Sequence, residues 1–177
     1  MRLPLLAAPA VLARRTGREA DDPAVMDAVG SASARFRGEV RCPVSRVEAE
    51  EIRLDGHGGT VLALPSAPVT AVVSVEVHGR VVTDFTWSRR GLLRRTACWP
   101  DELDAVQVVY SHGYDPVPDD VAEAVLAEAE YLLTVRPGVA AMTVGGESVS
   151  FQAPAAAMPS VWTRAVERYR INRGDDP

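Results

Sequence analysis

The sequence predicts an α+β fold in which a helical core carries an inserted antiparallel β region. Two spacings of apolar residues carry this prediction. Apolar residues recur every three or four positions over 23–40, 118–135 and 159–171, which is typical of helices with one buried face. Between 46 and 112 the period falls to two, which indicates strands.

The first long helix is predicted to begin at Pro23, because proline suits the first helical position, where no amide donor is needed. It should end before Pro43, which cannot continue a helix. Its apolar residues fall on one stripe, so we expect this face to be buried: Val25, Val29, Ala32, Phe36 and Val40.

The β region is predicted from short apolar runs that are separated by turn residues. His78-Gly79 fits a two-residue hairpin turn. In the strand before that turn, the odd-numbered residues from Val69 to Val77 are expected to share one face. In the last strand, Val106, Val108 and Tyr110 should do the same. The predicted strands are 47–54, 60–64, 69–77, 85–87, 92–94 and 105–111.

The last strand leads through a Gly/Pro turn into the second long helix. Gly113 and Pro116 break the strand, and Pro118 suits the start of a helix. Asp119 and Asp120 then complement the positive end of the helix dipole. We expect this helix to pack against the helix at 23–40 through one arc of residues: Val121, Val125, Leu126, Ala129, Leu132 and Leu133.

The chain is expected to have four consecutive parts. The apolar run near the N-terminus is short and interrupted by proline, which argues against a signal peptide. No segment approaches the roughly 20 apolar residues of a membrane span, so no membrane partner is predicted. The predicted parts are an N-terminal arm (1–20), a core (21–138) that contains the β insertion (46–112), an extended segment (139–158), and a C-terminal helix with its tail (159–177).

The charged residues exclude several kinds of function. All 19 basic residues are arginine, so a Walker-type phosphate loop, a Schiff-base lysine and a Ser-Lys dyad are impossible. A net charge of −5 argues against a broad basic surface for gripping nucleic acid. Cys42 and Cys98 are too far apart for a Cys-x-x-Cys site, and we expect two reduced, partly buried thiols.

No catalytic residue, cofactor or metal is predicted. His57, His78 and His112 each stand beside glycine, which indicates turn residues rather than ligands. His57-Gly58-Gly59 is faintly similar to an esterase oxyanion loop, but the Gly-x-Ser-x-Gly elbow is missing. The acidic residues at 48–51 and 101–104 are interpreted as solvated strand ends. A small hydrolase-like enzyme is therefore only a minor alternative.

Positive charge is dense in one place, where two arginine pairs bracket Gly91-Leu92-Leu93. This hairpin is a candidate contact to an acidic neighbouring subunit or to the DNA backbone. The alternative is an exposed loop whose charges pair with nearby acids. The four residues are Arg89, Arg90, Arg94 and Arg95.

Several short motifs follow one another in an order that resembles the head-to-tail adaptor (connector) proteins of long-tailed phages, particularly those infecting actinobacteria. The ordered set is more specific than any of its pieces. It comprises Asp21-Asp22-Pro23, Ser31-Ala32-Ser33, Arg35-Phe36, Leu64-Pro65 with Pro68-Val69, Trp87-Ser88, Gly91-Leu92-Leu93-Arg94, Trp99-Pro100, Tyr110-Ser111-His112-Gly113-Tyr114 and Val117-Pro118-Asp119-Asp120-Val121.

This resemblance implies a structural protein of the virion neck, assembled in the host cytoplasm, and not an enzyme. It implies a homo-oligomeric ring, a dodecamer, between the portal and a head-closure (stopper) or tail-side neck protein. Genomic DNA would pass through a central channel without sequence-specific binding. The alternative within the virion is a head-closure or tail-terminator neck protein.

In the family, a C-terminal segment commonly reaches the portal. The corresponding segment here is Met158 to Arg173. Its candidate portal-binding residues are Trp162, Arg164, Val166, Tyr169 and Arg170. Compact members of the family are mainly helical, so the β region between 46 and 112 is a departure. Its role is left open between a ring-to-ring contact and the exterior of the ring.

Overall fold

A computed structural model describes residues 3–134, 141–144, 147–150 and 160–171. The chain divides into two compact units. The β unit contains residues 41–116, and the helical unit contains residues 4–40 and 117–170. The α+β class is confirmed.

Within those residues the chain forms four helices and nine strands. None of the helices that the structure describes is both long and apolar enough to cross a membrane. The predicted extended segment at 139–158 lies largely outside the described residues, although β8 and β9 within it pair antiparallel. The elements are α1 (Pro9–Thr16), α2 (Pro23–Val40), β1 (Val47–Leu54), β2 (Val61–Ala63), β3 (Val69–Val77), β4 (Arg80–Val81), β5 (Phe85–Trp87), β6 (Leu92–Arg95), β7 (Val106–His112), α3 (Asp119–Thr134), β8 (Ala141–Val144), β9 (Glu147–Ser150) and α4 (Ser160–Tyr169).

Helix α2 is the centre of the helical unit. It packs against α3, as predicted, and also contacts α1 and α4. The predicted stripe on α2 is confirmed, because all five of its apolar residues are fully buried. Ser33 is buried on the same helix, where its hydroxyl accepts a hydrogen bond from the backbone N–H of Leu6 at 3.2 Å.

The N-terminal residues pack into the helical unit. Leu6 and Leu12 are fully buried, and α1 contacts both α2 and α3. Arg15, in the last turn of α1, forms an ion pair with Glu123 of α3 at 2.6 Å. Part of the predicted arm at 1–20 is therefore a helix with a buried apolar face.

Helix α3 buries most of its predicted arc but not all of it. Val121, Val125 and Ala129 are fully buried. Leu132 is 37% exposed, so the prediction that it is buried is wrong. The buried residues of α3 end at Ala129, and the apolar arc continues past them into the last turn.

The β unit is built from two antiparallel sheets. The larger has the strand order β1-β7-β3-β4, and the smaller has the order β2-β6-β5. Strand β7 is an inner strand of the larger sheet and is paired on both sides. Val106, Val108 and Tyr110 share one of its faces, as predicted, and are fully buried because this face packs into the core. The core of the unit consists of Leu62, Leu64, Val69, Val75, Leu93, Trp99, Ala105, Val106, Val108 and Tyr110.

The predicted alternation along β3 is only partly correct. Val69 and Val75 are buried, but Val73 is 65% exposed and Val72 packs against the core instead. The register of β3 against β7 shifts twice, between 69 and 71 and between 72 and 74. Each shift adds a residue to one strand, so the side chains after it change faces.

The turn between β3 and β4 has the predicted form. His78 and Gly79 have φ angles of 51° and 74°, and Val77 pairs with Arg80 across the hairpin. Two successive residues in the left-handed region match a type I′ turn, which suits the twist of the flanking strands. His78 is therefore a turn residue, as predicted.

Candidate interaction surfaces

His112 is not the turn residue that the sequence predicts. It lies at the end of β7 and is 1% exposed. Its Nε2 atom is 2.7 Å from Oε2 of Glu50 on β1, and its ring stacks on Tyr110 with 4.9 Å between the centroids. Glu50 pairs with Tyr110 in the β1–β7 register, which brings its carboxylate to the imidazole. Because His112 is shielded from solvent, its contacts with Glu50 and Tyr110 serve the packing of the β unit.

The surroundings of Tyr110 shift its pKa. Burial raises the pKa of its phenol to about 12, because the phenolate would lose its hydration. The negative charge of Glu50 raises that pKa further. The buried hydroxyl therefore stays protonated at pH values at which an exposed tyrosine is ionised.

This shift predicts that the β unit loses stability in alkali. In the unfolded chain the pKa of tyrosine is about 10, so the unfolded state releases its proton first as the pH rises. Stability should be intact below pH 10 and fall by up to about 3 kcal/mol as the pH rises through 12. Urea unfolding at successive pH values measures this loss, and Tyr110→Phe should remove it. If Tyr110→Phe lost as much stability at high pH as the wild type, other titrating groups would be responsible for the loss.

An ion-pair network joins three helices of the helical unit. Glu128 of α3 is 2% exposed, and its carboxylate accepts a hydrogen bond from Arg35 Nη1 at 2.6 Å. Arg35 also pairs with Glu39 one turn later on α2. The indole N–H of Trp162 on α4 donates to Glu39 at 2.9 Å. The buried charge of Glu128 is thereby compensated, as a buried carboxylate requires.

Two of the five candidate portal residues make contacts that join the helices of the helical unit. Trp162 is 1% exposed and meets Phe36 edge-to-face, with 5.2 Å between ring centroids. The Tyr169 hydroxyl donates to Asp120 Oδ1 at 2.9 Å, and Arg168 pairs with the other oxygen at 2.8 Å. These contacts hold α4 against α2 and α3.

The other three candidates lie nearer the surface of α4. Arg164 and Arg170 are exposed, and Val166 is half-buried. Arg164 bonds back to Ser160, one turn earlier on the same helix. The assignment of these five residues to a portal contact stays a prediction.

The four candidate arginines of the β unit separate into two groups. Arg89 and Arg90 are exposed in the turn between β5 and β6, residues 88–91, here called the basic turn. Arg94 is exposed on β6. Arg95 points to the opposite face, as neighbouring strand residues do. Its side chain is 11% exposed, pairs with Asp84 at 2.9 Å and lies 5.0 Å from the Trp99 ring centroid.

An acidic loop, residues 101–104, lies between β6 and β7. Asp101, Glu102 and Asp104 are exposed, as expected for charges at strand ends. Leu103 between them is 82% exposed, a feature that apolar periodicity cannot reveal in a loop. In the chain regions that the structure covers, no group of three His, Cys, Asp or Glu side chains is placed to hold a metal ion.

The two cysteines differ in their exposure. Cys42 is buried, more fully than the predicted partial burial. Cys98 is exposed, so the prediction that it is partly buried is wrong. It precedes Trp99, whose side chain enters the core, and neighbouring residues of an extended segment point in opposite directions.

The fold is similar to that of chains from gene transfer agent (GTA) particles. One is from the neck of a native GTA particle computed with C12 symmetry (20% identity, TM-score 0.62), and the match covers 98% of this chain and 93% of that one. A second is from the neck of an empty GTA particle computed with C6 symmetry (20% identity, TM-score 0.62), with 98% and 94% covered. A third, from the virion of the native gene transfer agent, has 19% identity and a TM-score of 0.57, with 88% and 80% covered. At these identities the likeness establishes the fold.

The family is established by the sequence itself. No curated protein matches the chain. Residues 13–172, however, match the profile of the head completion protein family, and this range spans both units. The resemblance to phage neck proteins is thereby confirmed, and the chain belongs to the head completion protein family, as a component of the virion.

Proposed function

We propose that this protein is the head-to-tail adaptor of its virion. In this proposal twelve copies form a ring that binds the portal on one side and the next neck or tail protein on the other. The observation that carries the proposal is the fold match over 98% of the chain to a component of a neck computed with C12 symmetry. The family match over residues 13–172 supports the same role in completing the head.

A ring of this protein would leave a channel for genomic DNA. The net charge of −5 per chain supports passage without binding, because like charges repel the phosphate backbone. Sequence-specific contacts are not needed for this role. The work of the protein would lie in its interfaces with other virion proteins.

The exposed face of α4 is the proposed portal contact. Arg164 is exposed on α4 and Arg170 is exposed directly after it, while Trp162 and Tyr169 fix the helix to the rest of the unit. A rigid helix that presents arginines can bind carboxylates in a defined geometry. Trp162 would then support the contact from inside the unit.

Electron microscopy of the purified protein mixed with portal-bearing capsids tests the proposal. We expect an additional twelve-fold density beneath the portal vertex. The double variant Arg164→Glu/Arg170→Glu should weaken this binding. Arg53→Glu, which changes an exposed arginine of the β unit, is the control and should bind normally. Portal vertices without added density would contradict the adaptor role.

A head-closure protein is the second candidate, because the head completion family description fits any component that seals the head. Such a protein would bind capsids only after another ring had docked on the portal. A tail-terminator protein would instead bind purified tail tubes. Pull-down with isolated portal, adaptor-bearing capsids and tail tubes separates the three roles.

A further inference from the structure

We infer that neighbouring copies of this protein associate head to tail through the acidic loop of one copy and the basic turn of the next. Both surfaces belong to the β unit. The inference rests on the proposed ring and specifies the contact that builds it. It also gives the β region, whose role the sequence leaves open, a function within one ring.

The two surfaces lie at opposite ends of strand β3. The backbone N–H of Val69, its first residue, donates to Arg89 O in the basic turn at 2.8 Å. The N–H of His78, just past its last residue, donates to Ala105 O beside the acidic loop at 3.0 Å. A nine-residue strand separates them by roughly 30 Å. Two different and complementary surfaces are what a head-to-tail contact between identical copies requires.

The two surfaces carry opposite charges. Asp101 and Glu102 are exposed on the loop, and Arg89 and Arg90 are exposed on the turn. Within the described chain, neither guanidinium lies at ion-pair distance from a carboxylate. The acidic loop has a weak ion pair of its own, because His78 Nδ1 is 3.8 Å from Oε2 of Glu102. Complementary charge favours the correct pairing and disfavours loop against loop or turn against turn.

Each surface also presents an exposed leucine. Leu103 is 82% exposed within the acidic loop, and Leu92, directly after the basic turn, is 45% exposed. Contact between Leu103 of one copy and Leu92 of the next would remove both side chains from water. This part of the attraction would persist in salt that screens the charges.

Both surfaces are held by backbone hydrogen bonds within the subunit. In the loop, Gly56 N–H donates to Glu102 O at 2.9 Å, and Asp104 N–H donates to Asp55 Oδ1 at 2.8 Å. In the turn, Gly91 N–H donates to Ser88 O at 2.9 Å. Because neither surface must be ordered on docking, the entropic cost of association is reduced.

Charge reversal on each surface, followed by mixing, tests this contact. Variant A is Arg89→Glu/Arg90→Glu, and variant B is Asp101→Arg/Glu102→Arg. Each variant alone would set like charges against each other at every subunit contact. In an alternating ring of A and B, both kinds of contact again join opposite charges. Arg14→Glu/Arg53→Glu, which changes the same charge at two other exposed arginines, is the control for variant A.

Ring formation on portal-bearing capsids, counted by electron microscopy, is the readout. We expect A or B alone to lower ring occupancy at least about tenfold. We expect their equimolar mixture, and the control, to approach the wild type. Normal rings from A and B alone, or no recovery on mixing, would overturn the inference. If A forms normal rings that bind less DNA, the turn contacts DNA instead. Failure of the wild-type protein to form rings would contradict the proposed function itself.

Discussion

Replacing Gly113 by alanine should destabilise the β unit by roughly 3–5 kcal/mol. Gly113 has a φ of +92°, a region that side-chain-bearing residues rarely adopt. A Cβ atom at this position would collide with the carbonyl oxygen of Ser45 and lie 2.8 Å from its carbonyl carbon. Both atoms belong to the backbone, so no side chain can move aside. Relief requires the two chain segments to separate.

Those segments meet at one junction of the β unit. The N–H of Gly113 donates to Pro68 O at 2.9 Å, and the N–H of Tyr114 donates to Val44 O at 2.8 Å. The N–H of Arg46 donates back to Tyr114 O at 2.9 Å. The end of β7 is thus tied to the residues before β1 and before β3. Separating them would weaken both neighbours of the central strand.

Two other glycines of the β unit separate the contributions to this effect. Gly79 has a φ of +74° but open space where a Cβ atom would be added. The loss of stability in Gly79→Ala therefore measures backbone strain alone. Gly59 has neither a positive φ nor a close neighbour, so Gly59→Ala should leave the free energy of unfolding nearly unchanged. Urea unfolding monitored by circular dichroism gives the free energies of unfolding. A cost for Gly113→Ala no greater than that for Gly79→Ala would show that the close approach is unimportant.

Local pattern predicted most of the secondary structure because the residues that determine it are neighbours in sequence. The stripe on α2 and the two-residue turn at 78–79 are set by spacing over a few residues. The bulges in β3 leave no local signal, because they depend on the register against β7, more than 30 residues further along the chain. A slip of one residue there reverses which valines face the core.

The candidate surfaces were predicted less well because side-chain partners come from distant parts of the chain. Arg35 meets Glu128 across 93 residues, and His112 meets Glu50 across 62. No periodic pattern marks such pairs. The four arginines near β6 read as one basic cluster, but strand alternation sends Arg95 inward. The charges of the acidic loop are visible in the sequence, whereas the exposure of Leu103 is seen only in the structure.

Trp162→Ala should destabilise the helical unit by about 3–5 kcal/mol. The side chain is 1% exposed and packs edge-to-face on Phe36. Its loss would leave a cavity between α4 and α2, which costs more than the transfer of the ring to water alone. The Arg35 guanidinium, 5.7 Å from the centroid of the indole, would also lose its aromatic neighbour.

The indole N–H makes a separate and smaller contribution. Trp162→Phe keeps an aromatic ring but removes the donor to Glu39, so it should cost less than the alanine variant. Arg164→Ala changes an exposed residue of the same helix and should alter stability by no more than about 0.5 kcal/mol. Urea unfolding and portal-capsid binding, measured on the same three variants, distinguish packing from recognition. A Trp162→Ala protein with wild-type stability and no portal binding would make Trp162 a direct portal contact. If Trp162→Ala instead loses stability but its folded fraction still binds the portal, Trp162 is the residue that holds α4 in place. Portal recognition would then belong to the exposed arginines.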